Sequence, residues 1–164
     1  MRQQSLGMGG HESQHSQKDE WLTPPGLLRV LGSFDLDPCA PIKRPWPTAD
    51  RHYTIEDDGL QQRWAGRVWC NPPYGKHVGK WLKRCAEHGD ALALIFARTE
   101  TRVWEEWVWG SANSVLFLFG RIRFHHVSGD RSGTAGAPSA LVAYDQANTQ
   151  ILDSAGLKGR LVVL

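Results

Sequence analysis

Residues 66–97 constrain the fold more tightly than any other stretch. GRVWC (66–70) is a short run of strand-forming residues, and NPPYG (71–75) stops it. Pro72 and Pro73 have no backbone N–H and a fixed φ, so neither continues a central strand, and Asn71 before them is held extended. In KHVGKWLKRCAEHG, Val78, Trp81, Leu82 and Cys85 stand at i, i+3, i+4 and i+7, the apolar stripe of an amphipathic helix that Gly89 ends. ALALIFA (91–97) is continuously apolar, as expected of a strand covered on both faces. A strand, a rigid turn, a helix and a buried strand in this order read as part of an α/β sheet.

The flanking segments extend the pattern. In WLTPPGLLRVLG (21–32), Thr23 is expected as the N-cap, with Pro24 and Pro25 in the opening turn. Leu27, Leu28 and Leu31 share one face, and Gly32 suits the C-terminal cap. FDLDPCA (34–40) reads as a short strand ending in an acid and a proline, and the proline-rich PIKRPWPTADRHYTIEDDGL (41–60) as loop. TETRVWEEWVWG predicts a short helix with Val103, Trp104, Trp107 and Val108 inward. SVLFLFGRIRF (114–124) predicts a buried strand, HHVSGDRSGTAGAP (125–138) a long glycine-rich loop, and SALVAYD (139–145) a further strand. The last twenty residues are weakly patterned. The fold class is therefore α/β, with a mostly parallel sheet and an antiparallel edge hairpin. Ligands of such sheets bind beyond the carboxyl ends of the strands, where both DPCA and NPPYG fall.

With 164 residues, one domain is expected over 19–164. The start, MRQQSLGMGGHESQHSQKDE, has no apolar segment, and 1–18 are expected to be a disordered tail rather than a signal peptide. No run of eighteen apolar residues exists, which excludes a membrane-spanning helix. Three cysteines without a CxxC pair fit a reducing cytoplasm, and no metal site is expected. A net charge of only +2 means that any nucleic-acid role rests on local patches.

The residues of the turn suit one chemistry in particular. A nucleobase amino group is a poor nucleophile because its lone pair is delocalised into the ring. To accept a methyl group it must have both hydrogens held, so that the lone pair points at the donor. The Asn71 side-chain oxygen can accept one N–H and the carbonyl of Pro72 the other, while Tyr74 offers a face for stacking worth about 1–3 kcal/mol per base. An amide takes no proton at neutral pH, so Asn71 orients and is not a general base. Such a site works by positioning and electrostatics, without a covalent intermediate.

The ordered series DEWLTPPGLL, FDLDPCA, YTIEDDGLQQRW, VWCNPPYG, ARTETRVWEEW, FLFGRIRF and PSALVAY, spanning about residues 19–145, resembles the phage-type DNA N6-adenine methyltransferase family (phage Dam). The resemblance implies a reduced Rossmann-like fold, S-adenosylmethionine (AdoMet) as cofactor, DNA as substrate and a flipped adenine. It also implies a bacterial host cytoplasm, with the chain phage or prophage encoded, and no obligate protein partner. By that likeness Trp21, Thr23 and Pro24 form the cofactor-side motif before the first strand. Asp37, Pro38, Cys39 and Ala40 lie beside the AdoMet amino-acid moiety, and Asp57 or Asp58 lies near its adenine ring. Asn71, Pro72, Pro73 and Tyr74 form the catalytic motif, Asn71 also facing the cofactor, and Phe124 helps hold the flipped base. The chain departs from the usual pattern in having no GxG turn after the first strand, and only sixteen residues separate Ala40 from Asp57, barely room for a helix and a second strand, so the acid that binds the ribose hydroxyls has no clear counterpart.

Other readings compete at several positions. Cys39 follows a proline, as the nucleophile of C5-cytosine methyltransferases does, but their Glu-Asn-Val segment is absent and a small buried hydrophobe is the better account. His11 and His15 could suit a metal by spacing, although a polar tail explains them. Trp104, Trp107 and Trp109 read as packing rather than a base platform. Asp57 and Asp58 could simply cap the following turn. Arg121, Arg123, His125, His126 and Arg131 flank the glycine-rich loop and, beside a catalytic turn, are candidates for phosphate contact together with Lys76. Lys80, Lys83 and Arg84 extend Lys76 into a weaker second patch. An N-methyltransferase acting on RNA or protein glutamine, and a non-catalytic nucleic-acid-binding relic, are the alternative functions.

Overall fold

The computed structural model describes residues 21–164, and the tail expected over 1–18 lies outside them. The elements are α1 (Pro25–Leu31), β1 (Leu36–Asp37), β2 (Arg51–His52), β3 (Val68–Cys70), α2 (Val78–His88), β4 (Ala91–Phe96) and α3 (Arg102–Trp104), which runs into a π-helical turn (Glu105–Trp109). They continue as β5 (Ser114–Leu118), β6 (Arg123–His125), β7 (Arg131–Thr134), β8 (Ser139–Ala143), α4 (Gln146–Ser154) and β9 (Gly159–Val163).

Seven strands form one sheet in the order β2-β1-β3-β4-β8-β5-β9. β2, β1, β3 and β4 pair in parallel. β8 runs antiparallel to both of its neighbours, β4 and β5, and β9 runs antiparallel to β5. All the strands but β8 and β9 therefore point one way, the mainly parallel α/β sheet that the sequence predicts. The antiparallel hairpin is a separate two-stranded ribbon of β6 and β7. It is tied to the segment before α1 by reciprocal backbone bonds between Leu22 and His125, at 2.8 and 3.0 Å.

The period of two along the strands divides the core between the two faces. Val68, Cys70, Ala93, Ile95, Val115 and Val142 pack on one face against Trp81, Leu82 and Cys85 of α2 and against Trp104 and Val108. Trp69, Leu92, Leu94, Leu116 and Leu141 pack on the other face against Leu28 and Leu31 of α1, Phe34, Phe124 and Leu152 of α4. Full burial of each such aliphatic side chain contributes about 1.5–3 kcal/mol. β4 is covered on both faces and flanked on both edges, which is why its sequence shows no alternation. The α2 stripe is the expected one, and Gly89 ends the helix with its N–H on the Cys85 carbonyl at 2.9 Å.

Five expectations are corrected. Pro24, not Thr23, is the N-cap of α1, no side chain caps that helix, and Thr23 is turned inward and buried. The proline-rich stretch contains β2, whose pairing with β1 needs only two residues. The strand expected over 114–124 breaks after Leu118, leaving Phe119 70% exposed before a turn at Gly120. The loop expected over 125–138 contains β7, a polar strand held by backbone pairing to β6. The weakly patterned C-terminus forms α4 and β9. The inner face of α4 is partly polar: Asn148 bonds Arg67 and Asp90, and Thr149 bonds Ser114.

Candidate active site

β1 and β3 are adjacent parallel strands, so DPCA and NPPY leave the sheet side by side. The segment before α1 closes over them. Asn71 Nδ2 donates to the carbonyl of Trp21 and to Thr23 Oγ1, both at 3.4 Å, and the Cys39 thiol reaches the Asn71 carbonyl at 3.4 Å. Three motifs far apart in sequence thus meet at one amide. The Trp46 indole N–H donates to the Thr23 carbonyl at 3.2 Å, so the proline-rich loop braces the same segment. Asn71 Oδ1 is buried and has no hydrogen-bond partner among the described residues. An orphan acceptor of this kind costs about 1–3 kcal/mol, and a ligand donor placed there would remove that cost.

Tyr74 stacks on Phe96, with ring centroids 4.0 Å apart and planes 3° from parallel, and Phe124 stands edge-on to it at 6.4 Å. Phe124 also packs against Trp21 at 6.5 Å. The aromatic residues of three motifs therefore surround the turn, with Phe96 covering one face of the tyrosine. The Tyr74 hydroxyl is buried without a partner, and burial pushes its pKa far up. It stays neutral and does not serve as a base.

Asp37 ends β1 and is 3% exposed. It accepts a bond from Thr48 Oγ1 and another from the Cys39 backbone N–H at 3.1 Å. Burial raises its pKa to about 6, against the opposing pull of Thr48, the Cys39 N–H and the charge of Arg44. Thr48 is positioned in turn by His52, whose Nε2 accepts the Thr48 and Ala49 N–H groups at 3.2 and 3.3 Å. Burial pushes the Cys39 thiol up, in keeping with a neutral packing residue rather than a nucleophile.

The DDGL segment packs onto DPCA. A Cβ on Gly59 would overlap the carbonyl oxygen of Pro38, so only glycine permits this approach. The Gly59 carbonyl is itself held by the Trp64 indole at 2.8 Å, and Ala40 N–H bonds the Tyr53 carbonyl at 2.9 Å. Asp57 caps its own turn, accepting from Thr54 N–H at 2.7 Å and Thr54 Oγ1 at 3.0 Å. Asp58 is exposed at φ 52°.

The basic candidates separate. Arg121, Arg123, Arg131 and Lys76 are exposed. His125 stands edge-on to Trp46 of the proline-rich loop at 5.0 Å, and His126 lies against Trp21 of the motif before α1 at 5.2 Å, so both also have packing roles. Among the described residues no group of three His, Cys, Asp or Glu could hold a metal, and no helix is long and apolar enough to cross a membrane. Thr48, His52 and Phe96 escaped the sequence reading, since nothing in their local pattern separates them from loop or strand residues.

The orphan amide, the buried carboxyl and the aromatic cluster gather at the parallel strand ends of a mainly parallel α/β sheet, the place where such sheets bind their ligands. A model of the family described as DNA N-6-adenine-methyltransferase (Dam) matches residues 10–154, and the chain belongs to that family. Family membership implies DNA as the substrate, adenine N6 as the general target and a methyl donor. No curated protein and no solved structure matches the chain.

Proposed function

We propose that the chain transfers a methyl group from AdoMet to N6 of an adenine turned out of the DNA duplex. The observation that carries this reading is the buried, unpartnered Asn71 Oδ1 on a proline-rigid turn beside Tyr74. This acceptor takes one hydrogen of the adenine amino group, and the Pro72 carbonyl takes the other. Both bonds strengthen as the nitrogen becomes tetrahedral, so they lower the barrier rather than merely bind. The base stacks on the Tyr74 face that Phe96 leaves uncovered, and Phe124 borders it. Extrusion from the stack costs a few kcal/mol, which stacking on the tyrosine offsets in part.

The residues present fit AdoMet. Asp37 places a carboxyl under the 37–40 turn, where it attracts a ligand ammonium group. Trp21 and Thr23 meet the neighbouring turn at Asn71, and the 57–59 segment packs against the 37–40 turn. When bound, AdoMet supplies an electrophilic methyl group. The chain's own part is to aim the amino lone pair, exclude water and release the surplus proton after transfer.

Methylation assays with AdoMet on DNA, RNA and a glutamine peptide, followed by sequencing of the modified DNA, test the reading. Asn71→Ala should lower kcat by orders of magnitude and leave AdoMet affinity nearly unchanged. Near-normal turnover by that variant, or methyl transfer only to RNA or peptide, would overturn it.

A further inference from the structure

A cleft of about 430 Å³ opens between α1, the turn joining β5 to β6, the β6–β7 ribbon and the turn before β9. Arg121, Arg123, Arg131 and Lys158 line it, and no carboxylate is among its lining residues. Its apolar wall comes from Leu27, Leu118 and Leu157, and Phe119 stands at its lip, 70% exposed. Several cations beside an apolar wall and a free ring match a nucleotide, which pairs an anionic phosphodiester with a flat, weakly polar base.

The cleft is built rather than incidental. The Phe119 N–H donates to the Lys158 carbonyl at 3.0 Å, which locks the two side-chain bearers together. Gly159 permits this, because a Cβ there would overlap the Phe117 carbonyl oxygen. The cleft also borders the segment that contacts the catalytic turn. Pro24 lines it and follows Thr23, which bonds Asn71. Along β6, Phe124 packs with Trp21 and Tyr74, while Arg123 and His125 on either side of it line the cleft. Alternation along β6 places the cleft across the ribbon from Phe124, so a strand whose target base sits at Tyr74 reaches this opening by passing over the ribbon.

We infer that the cleft is a second DNA subsite, taking the phosphodiester of a nucleotide that flanks the target adenine on Arg121, Arg123, Arg131 and Lys158, with its base stacked on Phe119. The inference rests on the methyltransferase reading for the position of the target base. Phe119 and Lys158, which meet at one end of the antiparallel β5–β9 pair, are the new contacts. Stacking on one ring is tolerant of base identity, so this subsite contributes affinity and register rather than sequence choice.

The test uses the full chain without AdoMet and a fluorescent single-stranded oligonucleotide, with anisotropy read across a salt series. Lys158→Ala should reduce the slope of log K against log salt by about 0.7. Phe119→Ala should weaken binding on the order of tenfold with an unchanged slope, and Phe119→Tyr should bind as wild type. Either alanine variant behaving as wild type overturns the subsite. A wild-type chain that binds the oligonucleotide but methylates no DNA would overturn the methyltransferase reading instead, because the anisotropy is read without the methyl donor.

Discussion

Asn71 gives the donor half of its amide to Thr23 and keeps the acceptor half free: Nδ2 lies 3.4 Å from Thr23 Oγ1, and Oδ1 is buried without a partner among the described residues. Rotated by half a turn, the same amide would present N–H groups to an amino substrate and could not hold it. Thr23 is therefore a positioning residue that selects the useful rotamer. Thr23→Val keeps the volume and removes the acceptor, so kcat should fall about three- to tenfold, the worth of one net hydrogen bond. KM for AdoMet and Tm should barely move, and Thr23→Ser should restore the rate. An unchanged kcat in the valine variant would leave orientation to the Trp21 carbonyl alone.

Asp37 is predicted to make stability and AdoMet affinity respond to pH in opposite directions. Its folded-state pKa of about 6 lies above the ordinary carboxyl value of 3.8. The stability it provides is present below that ordinary value and is lost as pH rises through about 6, by about 3 kcal/mol in all. Asp37→Asn should flatten this part of the pH–stability curve. If the carboxylate attracts the AdoMet ammonium group, wild-type affinity should fall as pH drops through about 6, and the variant should bind weakly at every pH. Calorimetry at pH 5 and pH 8 distinguishes these outcomes from a purely structural role, which would leave the affinity unchanged by the substitution.

Gly59 is predicted to be intolerant of even one added carbon. Gly59→Ala drives a methyl into the Pro38 carbonyl and should cost about 1–3 kcal/mol while displacing the 37–40 turn. Chemical denaturation and AdoMet titration should both register the change. Gly136→Ala, at a position with open space around it, should stay within about 0.5 kcal/mol of wild type.

Arg123 and Arg131 occupy the two strands of the β6–β7 ribbon, Arg123 pairing in register with Thr134 and Arg131 with His125. Replacing both by alanine should weaken binding to duplex DNA of every sequence and lower the salt slope by roughly two, leaving AdoMet binding intact. A loss confined to one sequence would make the ribbon a base reader.

Much of the sheet was legible because its strands change period sharply at NPPYG and Gly89. The 66–97 unit and β8 are where the apolar runs place them. What escaped had no apolar signature. β7 is RSGT and pairs through its backbone, and α4 buries Asn148 and Thr149, whose hydrogen bonds replace the hydrophobic stripe that betrays a helix. Phe119 was hidden by its neighbours, since SVLFLF reads as one strand until Gly120 turns it. At the site, the amide and its prolines were visible in the text. The orientation of that amide was not, because it depends on a threonine 48 positions earlier whose local sequence reads as a helix cap.

The insertion of β8 between β4 and β5 sets a schedule for the nascent chain. Ala93 waits for Val142, and Val115 for the same residue, so until residues 139–143 leave the ribosome both strands carry unpaired N–H and C=O groups along an apolar edge. A product cut short before Ser139 would keep those two edges open and should associate with its neighbours. The last sixth of the chain is thus what closes the edges of strands made before it.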